Sequence, residues 1–379
     1  MKVVSDRIVE LSKELIAIPS VSGSERDVAA YIERFLRRFG LEYRRIEADP
    51  AQPNLVLHIP GQADELICFN GHMDVLPAEE SEGWSGPPFK PRIKEGRLYG
   101  RGALDMKGVL AVFLHLIENL VLNGMRPHYN LHFQFVSDEE RGAENGSRIL
   151  AALMRKGELP RPDLVIIGER SELRLRLADR GAAHYRATIL GRSAHTAFAR
   201  DSGINPIYYA AQAILALERP LAHFHPEVGH PVISINIIEG GRVINQVPDK
   251  CSFLIDRRVT PDEDVDKVTL EIEQVLKDIC YQREELSYRL ELISHSRGTR
   301  TPKDTPQVEW VRKSLIRVTG GAELYIGWAG TTDARFFREM GIPTVVLGPC
   351  GGSYHGPDEY VEIDSLYALA KVYADLICG

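Results

Sequence analysis

The sequence predicts an α/β protein: a mostly parallel sheet flanked by helices, interrupted by an inserted ferredoxin-like α+β domain. Three observations predict it. Short apolar runs at 66–70, 131–136, 164–167 and 344–347 alternate with helical stretches, the mark of strands buried on both faces. Between residues 180 and 294 the order becomes strand, helix, strand, strand, helix, strand, which is that of a ferredoxin-like unit. Polar residues able to do chemistry stand directly after the apolar runs, where open α/β sheets place their ligand crevice.

Residues 1–18 set Asp6, Arg7, Glu10, Lys13 and Glu14 against Ile8, Val9, Leu11 and Leu15, an amphipathic helix rather than the apolar run of a signal peptide. The longest apolar stretch, 109–122, is broken by His115, Glu118 and Asn119 and is too short to span a bilayer. Within the insert, 182–190 reads as a strand and 205–217 as a helix opened by Asn205-Pro206. Strands follow at 232–238 and 251–257, then a helix at 262–280 after Thr260-Pro261 and a last strand at 286–293. An amphipathic helix at 305–319 precedes the run 344–347, which rejoins the first sheet. The expected organisation is a discontinuous catalytic domain, 1–179 and 295–379, and an inserted domain, 180–294.

Composition narrows the function classes. With 44% hydrophobic and 26% charged residues the 379-residue chain is an ordinary soluble globular protein, neither disordered nor collagen-like. Its net charge of -7 argues against nucleic acid or an anionic membrane as partner. Cys68, Cys251, Cys280, Cys350 and Cys378 are scattered, without a C-x-x-C pair, and read as reduced thiols of a cytoplasmic protein.

The chemistry is concentrated at strand ends. Gly71-His72-Met73-Asp74 follows the first run, Asp138-Glu139-Glu140 the second, Gly168-Glu169 the third, and His355 the last across a glycine loop; Asp105 lies in a glycine-rich loop ahead of a helix. A Glu-Glu pair or a His-x-Asp alone carries little, because neighbouring surface carboxylates are commonly solvated. Four strands delivering such groups to one edge is hard to explain as packing. Two imidazoles with several carboxylates and no thiolate suit zinc, with cobalt or manganese as substitutes. Five ligand candidates exceed one tetrahedral ion. If Asp105 bridges, two metals about 3.5–4 Å apart each have one His and one further carboxylate. Of Glu139 and Glu140, one then binds metal and the other takes the proton from the attacking water. Asp74 is placed to orient His72. The remaining histidines, His58, His115, His128, His132, His223, His225 and His230, have no comparable context and read as structural or surface residues.

These residues resemble the dinuclear zinc amidohydrolase and peptidase family that includes acetylornithine deacetylase, succinyl-diaminopimelate desuccinylase, carboxypeptidase G and aminoacylase. The resemblance rests on Gly71-His72-Met73-Asp74, Gly83-Trp84 with Pro87-Pro88-Phe89, Leu98 to Gly102 leading to Asp105-Met106-Lys107-Gly108, and Ser137 to Glu140. It continues through Gly168-Glu169, Ser193-Ala194-His195, residues 245–249 and Tyr354 to Tyr360.

The resemblance implies that His72 and Glu169 are terminal ligands of one zinc, Glu140 and His355 those of the other, and Asp105 the bridge, followed by a cis peptide bond. It implies Glu139 as general base and His195, in the inserted domain, as the oxyanion-stabilising residue. Asn245 and Arg258 resemble residues that receive a substrate carboxylate, and the loop Gly330-Thr331-Thr332-Asp333 resembles one lining the same pocket. The resemblance implies that the inserted domain is a smaller lid or dimerisation domain, with a homodimer as the expected assembly. Aminopeptidase members tend to carry Asp at the third carboxylate, deacylases and carboxypeptidases Glu, as here at Glu169. Arg170-Ser171 stands where the family often has Pro-Thr or Pro-Ser; Arg170 reads as a solvated loop charge.

The expected function is hydrolysis of an amide bond next to a free amino-acid carboxylate by an N-acyl-amino-acid deacylase of the acetylornithine or succinyl-diaminopimelate type. A carboxypeptidase or dipeptidase acting on short peptides is the alternative. A non-catalytic binding protein on the same fold is the reading from a different class; it would have lost a ligand or the base, and none is lost.

Overall fold

Strand Leu66–His72 is buried along its whole length because it pairs in parallel on both sides, with Asn130–Val136 and with Leu164–Ile167. In this computed structural model, which describes residues 1–321 and 324–379, Thr344–Val346 extends the parallel block beyond Leu164–Ile167. Asn54–Ile59 and Tyr43–Ile46 finish the opposite side in antiparallel pairing. The four apolar runs are the four parallel strands. The antiparallel edge carried no such signal: Tyr43–Ile46 reads Tyr-Arg-Arg-Ile with both arginines exposed, as suits a strand whose outer side must discourage further pairing.

Phe69 anchors the core. Its ring stacks on Phe133 at 5.2 Å and meets Phe113 and Tyr373 edge-on at 5.8 and 5.1 Å, joining the sheet to helices Gly108–Leu122 and Ile363–Cys378. Each such ring contributes about 1.5–3 kcal/mol relative to exposure, so this layer is the rigid platform of the site. Helix Gly108–Leu122 is buried on nearly every side. Its polar interruptions dock the N-terminal helix Ser5–Ile16: His115 accepts the Val4 N–H at 3.0 Å and Glu118 pairs with Arg7 at 2.9 Å. A small antiparallel sheet, ordered Gly351–Gly352, Tyr360–Glu362, Arg97–Tyr99 and Arg92–Lys94, ties the chain ahead of Asp105 to the chain after His355.

The chain divides into two compact units. The first comprises Met1–Leu177, Thr301–Ile326 and Thr332–Gly379; the second comprises Ala178–Arg300 and Gly327–Thr331. The second is a ferredoxin-like α+β unit. Its antiparallel strands run in the order Val232–Gly240, Lys250–Val259, Gly181–Leu190, Ser287–Ser296, and helices Pro206–Leu217 and Val265–Cys280 pack onto the sheet. Alternate residues of Lys250–Val259 are buried, as a strand covered on one face requires. Asn205 caps the first helix by accepting the Ile207 N–H. The second helix starts later than residue 262, because Asp264 is its cap and the Glu263 carboxylate turns back to accept the Thr260 N–H at 2.8 Å. Among the described residues no helix is long and apolar enough to cross a membrane.

Candidate metal centre

The carboxyl ends of the parallel strands build the site. His72 is the last residue of its strand, Glu139 and Glu140 form a short helical turn just beyond Asn130–Val136, and Glu169 follows Leu164–Ile167. Gly71 and Gly168 explain how the segment carrying Asp105 comes so close. A Cβ at Gly71 would lie 2.6 Å from the Met106 methyl, and one at Gly168 would lie 2.7 Å from it and 2.5 Å from Val109. One strand and the residue just after another thus lack side chains where Met106 packs, which lets Asp105 lie against His72. The Asp105–Met106 peptide bond is cis, as the family resemblance implied.

Asp105 is the centre of the arrangement. His72 Nε2 lies 2.9 Å from its Oδ1, and His355 Nε2 lies 2.9 Å from its Oδ2. Glu140 Oε2 is 3.5 Å from His355 Nε2. Potential ligand atoms of His72, Asp105 and Glu140 lie within 4.8 Å of one another, as do those of His72, Glu139 and Glu169. The floor is buried and the rim open: the His72 side chain is 2% exposed and that of His355 40%.

The electrostatics show what this cluster lacks. Burial pushes the Glu139 carboxyl up to about 8, helped by Asp333 and Asp105, and pushes Glu140 up to about 10, helped by Asp105 and Glu139. Burial likewise raises Glu169 well above its ordinary range, with Glu139 and Asp105 adding repulsion. Burial also opposes ionisation of Asp105, but hydrogen bonds from His355 and His72 outweigh it and hold this carboxyl below the usual range. Several carboxylates crowd a low-dielectric pocket, and the imidazoles, with Arg176 acting on Glu169, do not offset their mutual repulsion. The donor set, two imidazoles and four carboxylates without a thiolate, fits divalent cations of the zinc type. One carboxylate facing an imidazole on each oxygen fits a bridge between two of them.

Asp74 meets both His72 and the turn of Glu139 and Glu140. Its main-chain carbonyl lies 2.9 Å from His72 Nδ1, and its nearer carboxylate oxygen 3.6 Å from the same atom. The carboxylate also accepts the N–H groups of Glu139 and Glu140 at 3.0 and 3.1 Å and the Ser22 hydroxyl at 2.7 Å. Sequence reasoning missed two residues behind it. The buried Glu25 accepts the Asp138 N–H at 3.1 Å and so anchors the turn before Glu139, and no motif marks it. Asp333, noted only as part of a loop, is a buried carboxyl whose charge acts on Glu139. Arg170 pairs with Glu172 at 2.7 Å and is partly exposed.

The other expected residues belong to the second unit. His195 and Gln246 are register partners, and the Asn245 carbonyl accepts the Thr196 N–H at 3.0 Å, so His195 and Asn245 are neighbours. The exposed His195 ring accepts the Ala197 N–H through Nδ1. Arg258 holds Asp256 at 2.9 Å. The Gly330 carbonyl accepts the Arg180 N–H, and the Thr331 hydroxyl donates to the Arg180 carbonyl at 2.8 Å. Burial, with the nearby Arg258 charge, lowers the Arg180 pKa, so Arg180, Arg258 and the Gly330-Thr331 segment form one cationic neighbourhood; Arg180 carried no sequence signal of its own.

Comparison with known proteins identifies the family. The model of peptidase family M20/M25/M40 matches residues 68–378. The succinyl-diaminopimelate desuccinylase of Methylococcus capsulatus is 32% identical over 326 residues, covering 84% of each chain. The crystal structure of aminopeptidase PepT from Bacillus cereus superposes with a TM-score of 0.81 at 20% identity, over 99% of this chain and 98% of that one. A Bacillus subtilis protein described as a dinuclear metal-binding peptidase from family M20 superposes with a TM-score of 0.77 at 17% identity, over 99% and 97% of the two chains.

Proposed function

The chain belongs to peptidase family M20/M25/M40 and is a metal-dependent amide hydrolase, and on that premise we propose that it is an N-acyl-amino-acid deacylase of the acetylornithine or succinyl-diaminopimelate type. The observation that carries the reading is the meeting of His72 and His355 on the two oxygens of Asp105, ringed by Glu139, Glu140 and Glu169. The desuccinylase relative supports the substrate class, an amino acid bearing an amide-linked acyl group.

In this reading His72 and Glu169 would hold one metal ion, Glu140 and His355 the other, and Asp105 would serve both. Zinc is the proposed ion, with cobalt or manganese able to replace it. When bound, such a pair lowers the pKa of a water and polarises the substrate carbonyl. Glu139 takes the proton from the attacking water and delivers it to the departing amine nitrogen. Asp74 fixes Glu139 and Glu140 through their main-chain N–H groups. His195 donates to the developing oxyanion, and Asn245 and Arg258, with Gly330 and Thr331 lining the pocket, receive the substrate's free carboxylate.

A homodimer through the second unit belongs to the same proposal. Its support is the edge strand Val232–Gly240, where Ile237 and Ile238 are each half exposed, beside the exposed Tyr208 and Leu215 of helix Pro206–Leu217. A cytoplasmic location is supported by five free thiols.

The test is a hydrolysis panel with metal-reconstituted protein: N-acetylornithine, N-succinyl-diaminopimelate, other N-acyl amino acids and dipeptides. Release of the amino acid from one N-acyl substrate in preference to every dipeptide is expected. Preference for dipeptides would favour the carboxypeptidase alternative, and no hydrolysis of any member would overturn the assignment.

A further inference from the structure

Arg101 and Glu359, each within a stretch that carries the family resemblance but neither assigned a role there, form a buried ion pair at 2.8 Å, 3% and 0% exposed. Glu359 is saturated as an acceptor. Its Oε1 takes the N–H groups of Leu104 and Asp105 at 2.9 and 3.1 Å, and its Oε2 takes the N–H of Gly102 and the Arg101 guanidinium at 3.1 and 2.8 Å. The loop that presents Asp105 is therefore wrapped around one carboxylate. The second nitrogen of Arg101 reaches the main-chain carbonyl of His355 at 3.2 Å, while the guanidinium lies over the Trp84 ring at 5.1 Å.

His355 needs such a tether. Its imidazole is 40% exposed and packs on the neighbouring Tyr354 ring at 3.9 Å, and its backbone sits at φ +62° between Ser353 at +53° and Asp358 at +54°. Positive φ outside glycine persists only where contacts impose it. Asp358 is held by the Ser85 N–H and hydroxyl at 3.0 and 2.9 Å, and His355 by Arg101.

We propose that the Arg101–Glu359 pair is a positioning clamp that sets the spacing between Asp105 and His355, and hence the affinity for the metal ion those two residues share. The inference rests on the reading of Asp105 and His355 as ligands. It has a specific chemical consequence. Only a carboxylate offers acceptors on both oxygens, so Glu359→Gln, identical in shape, turns an NH2 group toward two donors. Arg101→Lys keeps a charge for Glu359 but loses the fork that also reaches His355.

The test titrates Co2+ into the metal-stripped full chain, following heat and visible absorption, for the parent protein, Glu359→Gln, Arg101→Lys and the reference His355→Ala. The parent binds two ions and His355→Ala loses one. The two clamp variants weaken the binding event that needs His355 by roughly 10- to 100-fold and alter the absorption of that ion, with a smaller loss at the other event, which shares Asp105. If the parent binds fewer than two ions, or His355→Ala keeps both, the metal reading fails and the clamp with it. If those controls behave but both clamp variants bind two ions with parental affinity and spectrum, the clamp alone is overturned. Thermal melting checks folding; failure of both variants to fold assigns the pair to the scaffold and overturns the proposal.

Discussion

The carboxylate of Asp74 accepts the main-chain N–H of Glu139 at 3.0 Å. The proposed base is thus held at its backbone by a residue two positions from the first histidine, and the Glu140 N–H is held by the same group. Asp74→Asn leaves an oxygen for only one side of this arrangement and turns an NH2 toward the other donors. We expect kcat to fall roughly 10- to 100-fold with KM and both metals retained. Kinetics with parallel metal analysis checks this; an unchanged kcat would remove Asp74 from the account.

Metal removal has a signed pH dependence. In the metal-free protein Glu139 and Glu140 carry raised pKa values, about 8 and about 10, chiefly through burial. The folded state then holds protons that the unfolded state has released. Its stability is greatest below the ordinary carboxylate range near 4.5 and falls as pH rises toward the folded values. Stripped protein should therefore melt lower at pH 8 than at pH 6, and the gap to metal-loaded protein should widen over that interval. Melting curves at both pH values decide it; a gap that narrows with rising pH would contradict the carboxylate cluster as its source.

His132 supplies a separate effect on the far side of the sheet's chemistry. Its ring is buried, Nδ1 has no hydrogen-bond partner among the described residues, and the His58 ring meets it edge-on at 5.1 Å. Burial, then the His58 charge, lowers its pKa from 6.5 to about 4. Between those values the unfolded chain binds a proton that the folded one refuses, so stability is full above about 6.5 and is lost as pH falls toward 4. The loss from this residue at pH 5 is about 2 kcal/mol. His132→Leu should remove that part of the pH dependence in urea unfolding compared at pH 7 and pH 5. Identical slopes in the two proteins would show that His132 is not responsible.

What could be read from the sequence followed from locality. His72, Glu139 and Glu169 sit directly after apolar runs long enough to be recognised as buried strands, so their convergence was legible before any coordinates. The edge strand Tyr43–Ile46 was not, because a strand exposed to water has no reason to be apolar. The pairing of Glu359 with Arg101 was not, although both stand in stretches that carry the resemblance, because it is built on main-chain donors, and the Glu359 acceptor lies 255 residues from the Leu104 N–H it satisfies. Main-chain donors leave no trace in residue identity. The same holds for Glu25, which reaches Asp138 across 113 residues. Asp74 was found for its proximity to His72, yet its carboxylate serves the next strand's turn.

The central claim is that Glu139 moves the proton while its neighbours hold the metals, and Glu139→Gln separates the two tasks. The variant preserves size and the main-chain bond to Asp74 but cannot accept a proton. Measured together on reconstituted protein, its metal content should stay at two ions per chain while kcat on the preferred N-acyl amino acid falls about 10²- to 10⁴-fold. Turnover near the parental rate with both ions present would contradict the account.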